Sequence, residues 1–515
     1  MLLTELEGRA LTIGTTLTSG TAFLLFGFDQ GVFGGILGNA LFQKTFYDPN
    51  AKIQGQIVST YDTGCILGAI LTILVGDKLG RWKTIALGCL FVHVGGTLQA
   101  SSYALPHMIV GRIIAGVGIG IVLAVVPIWQ SETCKPQRRG KLIALQLALV
   151  IFGIAFTNWM NLGFTYVPNS DVSWRFPLAF QNFFAILAIC LLYCMPESPR
   201  WLCLKDRHGE AQVIIARLEK KPLNDPAVVQ ALRLLADTVA HEIKVEKVSW
   251  TEVFSNGEQQ TFRRIALGAG TSLMQQLGGI NMVVYYLPTI LSGSFGFSDR
   301  LALILSACDF MSLVFWGCMA MLVIDKVGRM KLMLVGATAQ GVCFAIAAAG
   351  LAVGSKASNG VAVAFIFLYH VAFARLVFPL HSLHVSMYPS EINSERFRNI
   401  GSSIAMIINW VGVYIVVLIT PIAIENIGYK FYIIFAVLNI VWVPFIWYFY
   451  VEIAGLSLDE MDKPFEIHYN NPGMTWKEAT QQAQDAIEVA KLEISEKTAH
   501  GLDAEFNHVE GSRKV

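Results

Sequence analysis

The sequence predicts an all-α polytopic membrane protein with twelve transmembrane helices in two six-helix halves. The first observation is composition: 54% of the 515 residues are hydrophobic and 15% are charged, whereas a soluble chain carries about 25% charged residues. The second is a series of long apolar runs, and the third is a set of charged motifs that recurs about 250 residues later. The formal charge of +1 excludes a nucleic-acid binder held by bulk positive charge. Nine scattered cysteines exclude a disulfide scaffold.

Twelve apolar runs are long enough to cross a membrane, which takes about 20 residues of helix. Each run is continuous, unlike the alternating strands of about ten residues that build a membrane barrel. We therefore predict helices at about 11–37, 55–76, 84–102, 108–130, 141–163, 174–195, 264–291, 301–324, 332–353, 361–388, 400–423 and 430–451.

The positive charges of the short loops predict the orientation. Lys and Arg cluster after runs 2, 4, 8 and 10, whereas the loops after runs 3, 7 and 9 carry few. Because positive loops stay in the cytoplasm, we expect both termini inside, with a charged insert on the same side. The expected organisation is an N-terminal half at 1–195, a cytoplasmic helical linker at 196–262, a C-terminal half at 263–455 and a cytoplasmic tail at 456–515.

The repeated motifs predict a cytoplasmic gate. Asp77 and Arg81 recur at the same spacing as Asp325 and Arg329, and an Arg in such a tight loop can bind a carboxylate on a neighbouring helix bidentately. Topogenic charge at a tight turn is the alternative interpretation. The candidate gate residues are Asp77, Arg81, Glu132, Arg139, Glu197, Arg200, Asp325, Arg329, Glu391, Arg398 and Glu452.

An ordered set of motifs resembles the sugar porter family of the major facilitator superfamily. The motifs are FGFDQG at 26–31, Gly111-Arg112, Ser131-Glu132, PESPRW at 196–201, QQLGGIN at 275–281 and Asn409-Trp410, with YPSEINS at 388–394 similar to fungal members. The resemblance implies two parallel six-helix halves with the substrate between them near the membrane midplane. It also implies transport by alternating access.

Asp29 lies inside the first apolar run, where a carboxylate is costly and functional by default. Arg112, in run 4, is its candidate partner. The resemblance implies a protonation switch, in which protonation of Asp29 releases Arg112, because matching residues act so in proton-coupled sugar porters. A static buried pair is the alternative. Passive members of the family lack an acid here, so Asp29 favours proton symport.

The amides of run 7 are the candidate substrate site. Gln275, Gln276 and Asn281 lie within two turns of one predicted helix, so one face can present them. Amides both donate and accept hydrogen bonds, which suits a polyol, and the resemblance implies contact with sugar. Hydrogen bonding between helices is the alternative. Further candidates are Tyr285, Asn409 and Trp410.

Other positions depart from the family pattern. Apolar or small residues replace expected sugar contacts at Leu147, Ile154, Leu313 and Ser386, which argues against an ordinary hexose. Polar residues appear instead in runs 8 and 10, at Asp309, His370, Arg375, His381 and His384. Asp309 with Arg375 is a plausible compensating pair. Asp62 and His93, also inside apolar runs, carry a weaker functional argument.

The sequence thus predicts a secondary active transporter that moves a sugar or polyol, by proton symport, across the plasma membrane. One alternative is a carrier on the same fold repurposed for a non-sugar metabolite, and another is a non-transporting nutrient sensor. We expect no enzyme activity, cofactor or metal, and no nucleic-acid partner. The expected partners are the substrate, protons and the lipid bilayer, with the protein acting as a monomer.

Overall fold

The computed structural model describes residues 6–134, 139–167, 169–244, 250–320, 329–374, 388–394, 396–452, 460–487 and 489, and within them the regular elements are helices. The first part of the chain forms α1 (Gly8–Ile36), α2 (Ala40–Thr45), α3 (Ala51–Leu79), α4 (Arg81–Ala100), α5 (Leu105–Glu132), α6 (Arg139–Phe164) and α7 (Val172–Tyr193). The insert forms α8 (Pro199–Leu204), α9 (His208–Glu219), α10 (Pro226–Lys244) and α11 (Trp250–Val253). The remainder forms α12 (Thr261–Leu277), α13 (Ile280–Gly293), α14 (Asp299–Ala320), α15 (Arg329–Val353), α16 (Lys356–Ala372), α17 (Tyr388–Ile392), α18 (Arg398–Ile427), α19 (Lys430–Phe449) and α20 (Lys463–Asn470).

The predicted all-α membrane fold is confirmed. Within the described residues, nine helices are long and apolar enough to cross a membrane. The predicted boundaries of the apolar runs agree with the observed helices to within a few residues, because continuous hydropathy determines where a helix can leave the hydrocarbon. The second half of run 10 falls at 375–387, outside the described residues.

The prediction of one continuous helix for run 7 is wrong. The helix ends at Leu277 and restarts at Ile280, and Gly279 between them has a φ of +90°, a conformation that side chains with a Cβ rarely adopt. The freed carbonyl of Gly278 accepts hydrogen bonds from Tyr369 Oη at 3.1 Å and Asn439 Nδ2 at 3.3 Å. Those donors satisfy the backbone that the break exposes, as hydrocarbon surroundings require.

Small residues let α3 and α5 pack closely. A Cβ on Gly116 would lie 2.1 Å from the carbonyl oxygen of Tyr61, and a Cβ on Gly64 would lie 2.3 Å from that of Ile113. Close helix approach through glycine is typical of membrane bundles, where dispersion contacts replace the hydrophobic effect. This contact sets the distance between the polar side chains that the two helices carry.

The bundle has two distinct ends. We name the end that carries α8 to α11 the linker face; there Arg217 of α9 donates to the carbonyl of Leu6, before α1, at 3.1 Å. We name the opposite end the far face. Near it α3 packs on α18 and α1 packs on α13; a Cβ on Gly55 would lie 2.6 Å from the carbonyl oxygen of Leu418. The first six spanning helices therefore contact the later ones tightly toward the far face.

Replacing Gly116 by alanine is expected to lower the free energy of unfolding by about 1–3 kcal/mol, since the new methyl group forces α3 and α5 apart. Gly163→Ala is the matched control, because a Cβ there meets nothing within 4 Å and alanine favours a helix by up to about 1 kcal/mol. Thermal unfolding in detergent measures both. Equal stability of the two variants would contradict the packing argument.

Candidate functional site

A buried ion pair joins α1 and α5 in the first half of the chain. Arg112 Nη1 lies 3.3 Å from Asp29 Oδ1, and both side chains have 0% exposure. An unpaired charge at this depth would be strongly destabilising. The structure thus brings together the two residues that the sequence singled out as a proton-coupling pair.

Arg112 also has contacts that do not depend on Asp29. Its Nε and Nη2 donate to the carbonyls of Ile57 and Val58 on α3, at 3.3 and 3.0 Å. Its guanidinium carbon lies 4.4 and 4.3 Å from the ring centroids of Phe33 and Tyr61, within the range of cation–π attraction. Neutralising Asp29 would therefore weaken one contact of an arginine that several others hold in place.

Asp62 of α3 is a second fully buried carboxylate beside this pair. Its Oδ1 accepts a hydrogen bond from Tyr285 Oη of α13 at 3.4 Å, and Arg112 bonds to the carbonyl of Val58, one helical turn before Asp62 on α3. The sequence argument gave Asp62 less weight than Asp29. The sequence feature that singled out Asp29 also applies to Asp62, because Asp62 is an acid inside an apolar run as well.

An amide chain crosses between the two halves next to the ion pair. Gln30, the neighbour of Asp29, donates through Nε2 to Asn281 Oδ1 at 3.4 Å. Asn281 Nδ2 in turn donates to Gln276 Oε1, and Gln276 Nε2 donates to Asn409 Oδ1 at 2.6 Å. Three predicted substrate residues thus form one network, and Gln30 joins them.

The neighbouring aromatic residues occupy the same region. Trp410, next to Asn409 on α18, packs edge-on against Phe26 of α1 with ring centroids 6.1 Å apart. Tyr285 bonds to Asp62, as described, and Tyr286 donates to the carbonyl of Val417 at 3.0 Å. Aromatic rings therefore line the boundary between the halves beside the amides.

Gln275 does not join this network. It lines a small cavity between α12, α15 and α19 with Gln340, Asn439 and Trp442, and its buried Oε1 has no hydrogen-bond partner among the described residues. Gln275 and Gln276 are consecutive on α12 and therefore point about 100° apart, and Asn281, on the helix after the break, bonds to Gln276. The expectation that one helical face presents all three amides is wrong.

The described positions that depart from the family pattern carry apolar side chains that are buried or half-buried. Ile154 and Leu313 are 3% and 2% exposed, and Leu147 packs at the edge of the main core. Gln146, the polar neighbour of Leu147, bonds to Gln130 of α5 instead. Ser386 lies outside the described residues. No amide or indole is therefore offered at these three described positions.

A second buried acid–base pair lies between α14 and α16. Asp309 Oδ2 is 2.5 Å from His370 Nδ1, and both side chains have 0% exposure. The sequence suggested Arg375 as the partner of Asp309; the described partner is His370, five residues earlier. Arg375, His381 and His384 lie outside the described residues. His93 of α4 is half-buried and forms no part of either acidic cluster.

Charged residues of the first repeat meet at the linker face. Arg81 Nε lies 3.3 Å from Glu132 Oε2, and Arg81 Nη1 lies 3.0 Å from Asp77 Oδ1. Glu197, which follows α7, accepts hydrogen bonds from the backbone N–H groups of Arg81 and Trp82 at 3.0 and 3.1 Å. Burial raises the pKa of the Glu197 carboxyl, against the lowering effect of these donors. Glu197 thus caps the start of α4 rather than binding the side chain of Arg81.

The second repeat contains a similar cap. Glu452 Oε2 accepts from the backbone N–H of Met330 at 3.0 Å, at the start of α15. Glu391 and Arg398 lie at the same face, on α17 and at the start of α18, and Arg200 lies on α8. Asp325 and the side chains of Arg139 and Arg329 lie outside the described residues.

Comparison with known proteins identifies the family. A family model described as "Sugar (and other) transporter" matches residues 15–465. The chain belongs to this sugar transporter family. The family predicted from the motifs is thereby confirmed, and the protein is an integral membrane protein.

Several relatives cover most of the chain. The MFS-type transporter oryC of Aspergillus oryzae is 39% identical over 91% of this chain and 87% of its own length. Sugar transporter STL1 of Saccharomyces cerevisiae is 32% identical over 92% of this chain and 84% of its own length. A partially occluded inward-open structure of the Escherichia coli xylose transporter XylE superposes with a TM-score of 0.72 at 23% identity, covering 87% of this chain and 99% of that one. The shared fold is that of the major facilitator superfamily.

The Arg81–Glu132 pair is expected to stabilise the linker face measurably. A double-mutant cycle with Arg81→Ala and Glu132→Ala should give a coupling free energy of about 1 kcal/mol, since the two side chains are only 14% and 7% exposed. The matched control is Arg207–Glu210, which is 48% and 59% exposed and should give less than about 0.5 kcal/mol. Denaturant titration in detergent measures both cycles. Equal coupling in the two pairs would contradict the prediction.

Proposed function

We propose that this protein moves a sugar or polyol together with protons, by alternating access. The observation that carries the proposal is the adjacency of two sites: the buried Asp29–Arg112 pair and the amide chain that starts at Gln30. Asp29 and Gln30 are consecutive in α1, so a change in the charge of Asp29 alters the electrostatic environment of the hydrogen bonds that Gln30 makes. A proton and a polyhydroxylated substrate can therefore be linked energetically at this point.

The chemistry of the amide chain suits hydroxyl groups. Gln276, Asn281 and Asn409 each offer a donor and an acceptor, and the bonds that they make to each other can be exchanged for bonds to a substrate. The apolar side chains at Leu147, Ile154 and Leu313 reduce the number of further polar contacts. We infer that the substrate is smaller than a typical hexose, or that it carries fewer hydroxyl groups on the side that faces these apolar residues. The relative named sugar transporter STL1 supports a sugar as the general class of substrate.

The two-half architecture supports movement between two states. We propose that residues 1–195 and 263–455 rock against each other, with the helical linker and the tail on the cytoplasmic side. In this scheme the far face is extracellular, and its contacts between α3 and α18 and between α1 and α13 hold it closed. Opening the far face then requires separating those helices, and no covalent intermediate is formed. The positively charged loops support this orientation in the plasma membrane.

A carrier of a non-sugar metabolite is the second candidate. The Asp309–His370 pair favours it, because an acid and an imidazole within hydrogen-bond distance give the C-terminal half two ionisable side chains that recognition of a neutral sugar does not need. Such an element suits a substrate with an ionisable group.

Uptake of radiolabelled compounds into transporter-null cells tests the proposal. Sugars such as xylose and fructose, polyols such as glycerol, and small organic acids form the panel, each with and without a protonophore. We expect accumulation of a sugar or polyol that the protonophore abolishes. Asp29→Asn should remove accumulation and its pH dependence while leaving exchange of internal for external substrate, because the asparagine mimics the protonated acid but cannot release a proton.

Two outcomes would contradict the proposal. Uptake of organic acids alone would favour the second candidate. Normal accumulation by Asp29→Asn with normal proton movement would make Asp29 a structural residue. Asp171→Asn provides a matched control, since that acid is half-exposed on α7's N-terminal flank and should leave uptake unchanged.

The two adjacent glutamines should differ in their effect on substrate affinity. Gln276→Ala is expected to weaken binding by about 1–3 kcal/mol, because it leaves Asn281 and Asn409 without their shared partner. Gln275→Ala should change affinity by less than about threefold, since its side chain faces the cavity beside Gln340. Competition of unlabelled substrate against uptake measures both. Equal losses in the two variants would place Gln275 in the site.

A further inference from the structure

The Asp29–Arg112 ion pair lies entirely within the N-terminal half, on α1 and α5. A ligand, including a proton, shifts a conformational equilibrium only if it binds the two states with different affinity. The carboxylate of Asp29 reaches the other half only through its neighbour Gln30, which bonds to Asn281. A titratable group whose own contacts cross between the halves would couple a proton to their movement directly.

Asp62 is such a group. Its Oδ1 accepts from Tyr285 Oη at 3.4 Å, which joins α3 of the N-terminal half to α13 of the C-terminal half. Its Oδ2 is buried and has no hydrogen-bond partner within the part of the chain that the structure describes. Asp62 is thus a carboxylate with one position filled from across the boundary and one position open to a proton.

The local charge balance also favours a proton on this cluster. Arg112 supplies one positive charge to two fully buried carboxylates, Asp29 and Asp62. With both acids ionised, one negative charge would remain uncompensated in the bundle, at a large cost. Asp29 contacts the guanidinium directly, so Asp62 is the acid that more readily holds a proton.

Several other titratable groups lie near Asp62. They are Arg112 of α5, Asp29 of α1, Tyr285 and Tyr286 of α13, and Tyr61 and Cys65 of α3 itself. The helices α4 and α18 also pack on α3; their mid-helix titratable side chains, His93 and Tyr414, do not hydrogen-bond to Asp62.

We propose that Asp62 is a second proton-binding site, and that its hydrogen bond to Tyr285 makes the closure of the far face depend on protonation. This proposal rests on the proposed function but adds a residue and a mechanism to it. A hydroxyl donor stabilises the ionised carboxylate, so docking of α13 favours release of the proton. When α13 moves away, Asp62 loses its donor and binds a proton. A far face open to the outside would thus load a proton, and closure would discharge it.

α13 is suited to this movement. It starts after the break at Gly279 and can therefore move independently of α12. Its packing against α1 places the carbonyl of Tyr285 3.3 Å from where a Cβ of Gly34 would lie. Protonation of Asp62 weakens its hydrogen bond to Tyr285 and so reduces the stability of the docked position of α13.

The test measures the far-face distance without any substrate. Spin labels on Lys52→Cys of α3 and Asn426→Cys of α18, both exposed far-face positions, report opening by pulsed electron paramagnetic resonance. The protein is purified into lipid nanodiscs in a background with its native cysteines replaced. We expect the ratio of open to closed molecules to rise about tenfold between about pH 8 and about pH 5.

Three variants decide the result. Asp62→Asn mimics the protonated acid, so it should show the open ratio of low pH throughout and lose the pH response. Tyr285→Phe should raise the open ratio at high pH by about tenfold. Tyr286→Phe is the matched control, because the neighbouring hydroxyl bonds to Val417, and it should behave as the unmodified protein.

A full pH response in Asp62→Asn would overturn the proposal, as would equal effects of Tyr285→Phe and Tyr286→Phe. If Asp62→Asn does not fold, the comparison of the two tyrosine variants still decides. Loss of the response in Asp29→Asn but not in Asp62→Asn would assign it to Asp29. Because no substrate is used, a failure of sugar uptake would refute the proposed function without affecting this measurement.

Discussion

The guanidinium of Arg112 is positively charged and has no exposed surface. The surrounding helices supply the groups that compensate this charge. α1 supplies a carboxylate and an aromatic ring, and α3 supplies two backbone carbonyls and a second ring. These groups can reach one arginine only if α3 and α5 approach closely, which glycines at positions 64 and 116 permit. The close packing of α3 and α5 is therefore needed for the charge of Arg112 to be compensated.

The C-terminal half meets this centre through a helix that is broken. The break at Gly278 and Gly279 separates two functions that one straight helix would combine: α12 holds Gln276 against Asn409, and α13 brings Asn281 and Tyr285 to the N-terminal half. Donors from α16 and α19 stabilise the exposed carbonyl. An irregular backbone at this depth is tolerated because it is buried in protein.

Sequence reasoning anticipated the features that follow from hydropathy and from motifs. The limits of the helices and the pairing of Asp29 with Arg112 belong to this group, since a buried acid in an apolar run needs a partner. It did not anticipate the break in the seventh run, because Gly is also frequent in continuous membrane helices, so two glycines alone do not predict a break. The direction of Gln275 depends on the rotation of α12 in the bundle, which hydropathy does not determine. His370 was not singled out as the partner of Asp309, because contact between helices is decided by their rotation in the bundle; the pairing of Asp309 with Arg375, which lies outside the described residues, stays a prediction.

The cap that Glu197 places on α4 has a consequence for biosynthesis. Glu197 follows the sixth spanning helix directly and reaches back over more than 110 residues to the start of the third. The contact of Glu197 with the start of α4 can therefore form once residue 197 has left the ribosome, while the rest of the chain is still being made. Domains generally fold as units in the order of synthesis. The first half of this transporter can thus reach its final arrangement in the membrane before its counterpart exists, and the second half then assembles on a finished surface.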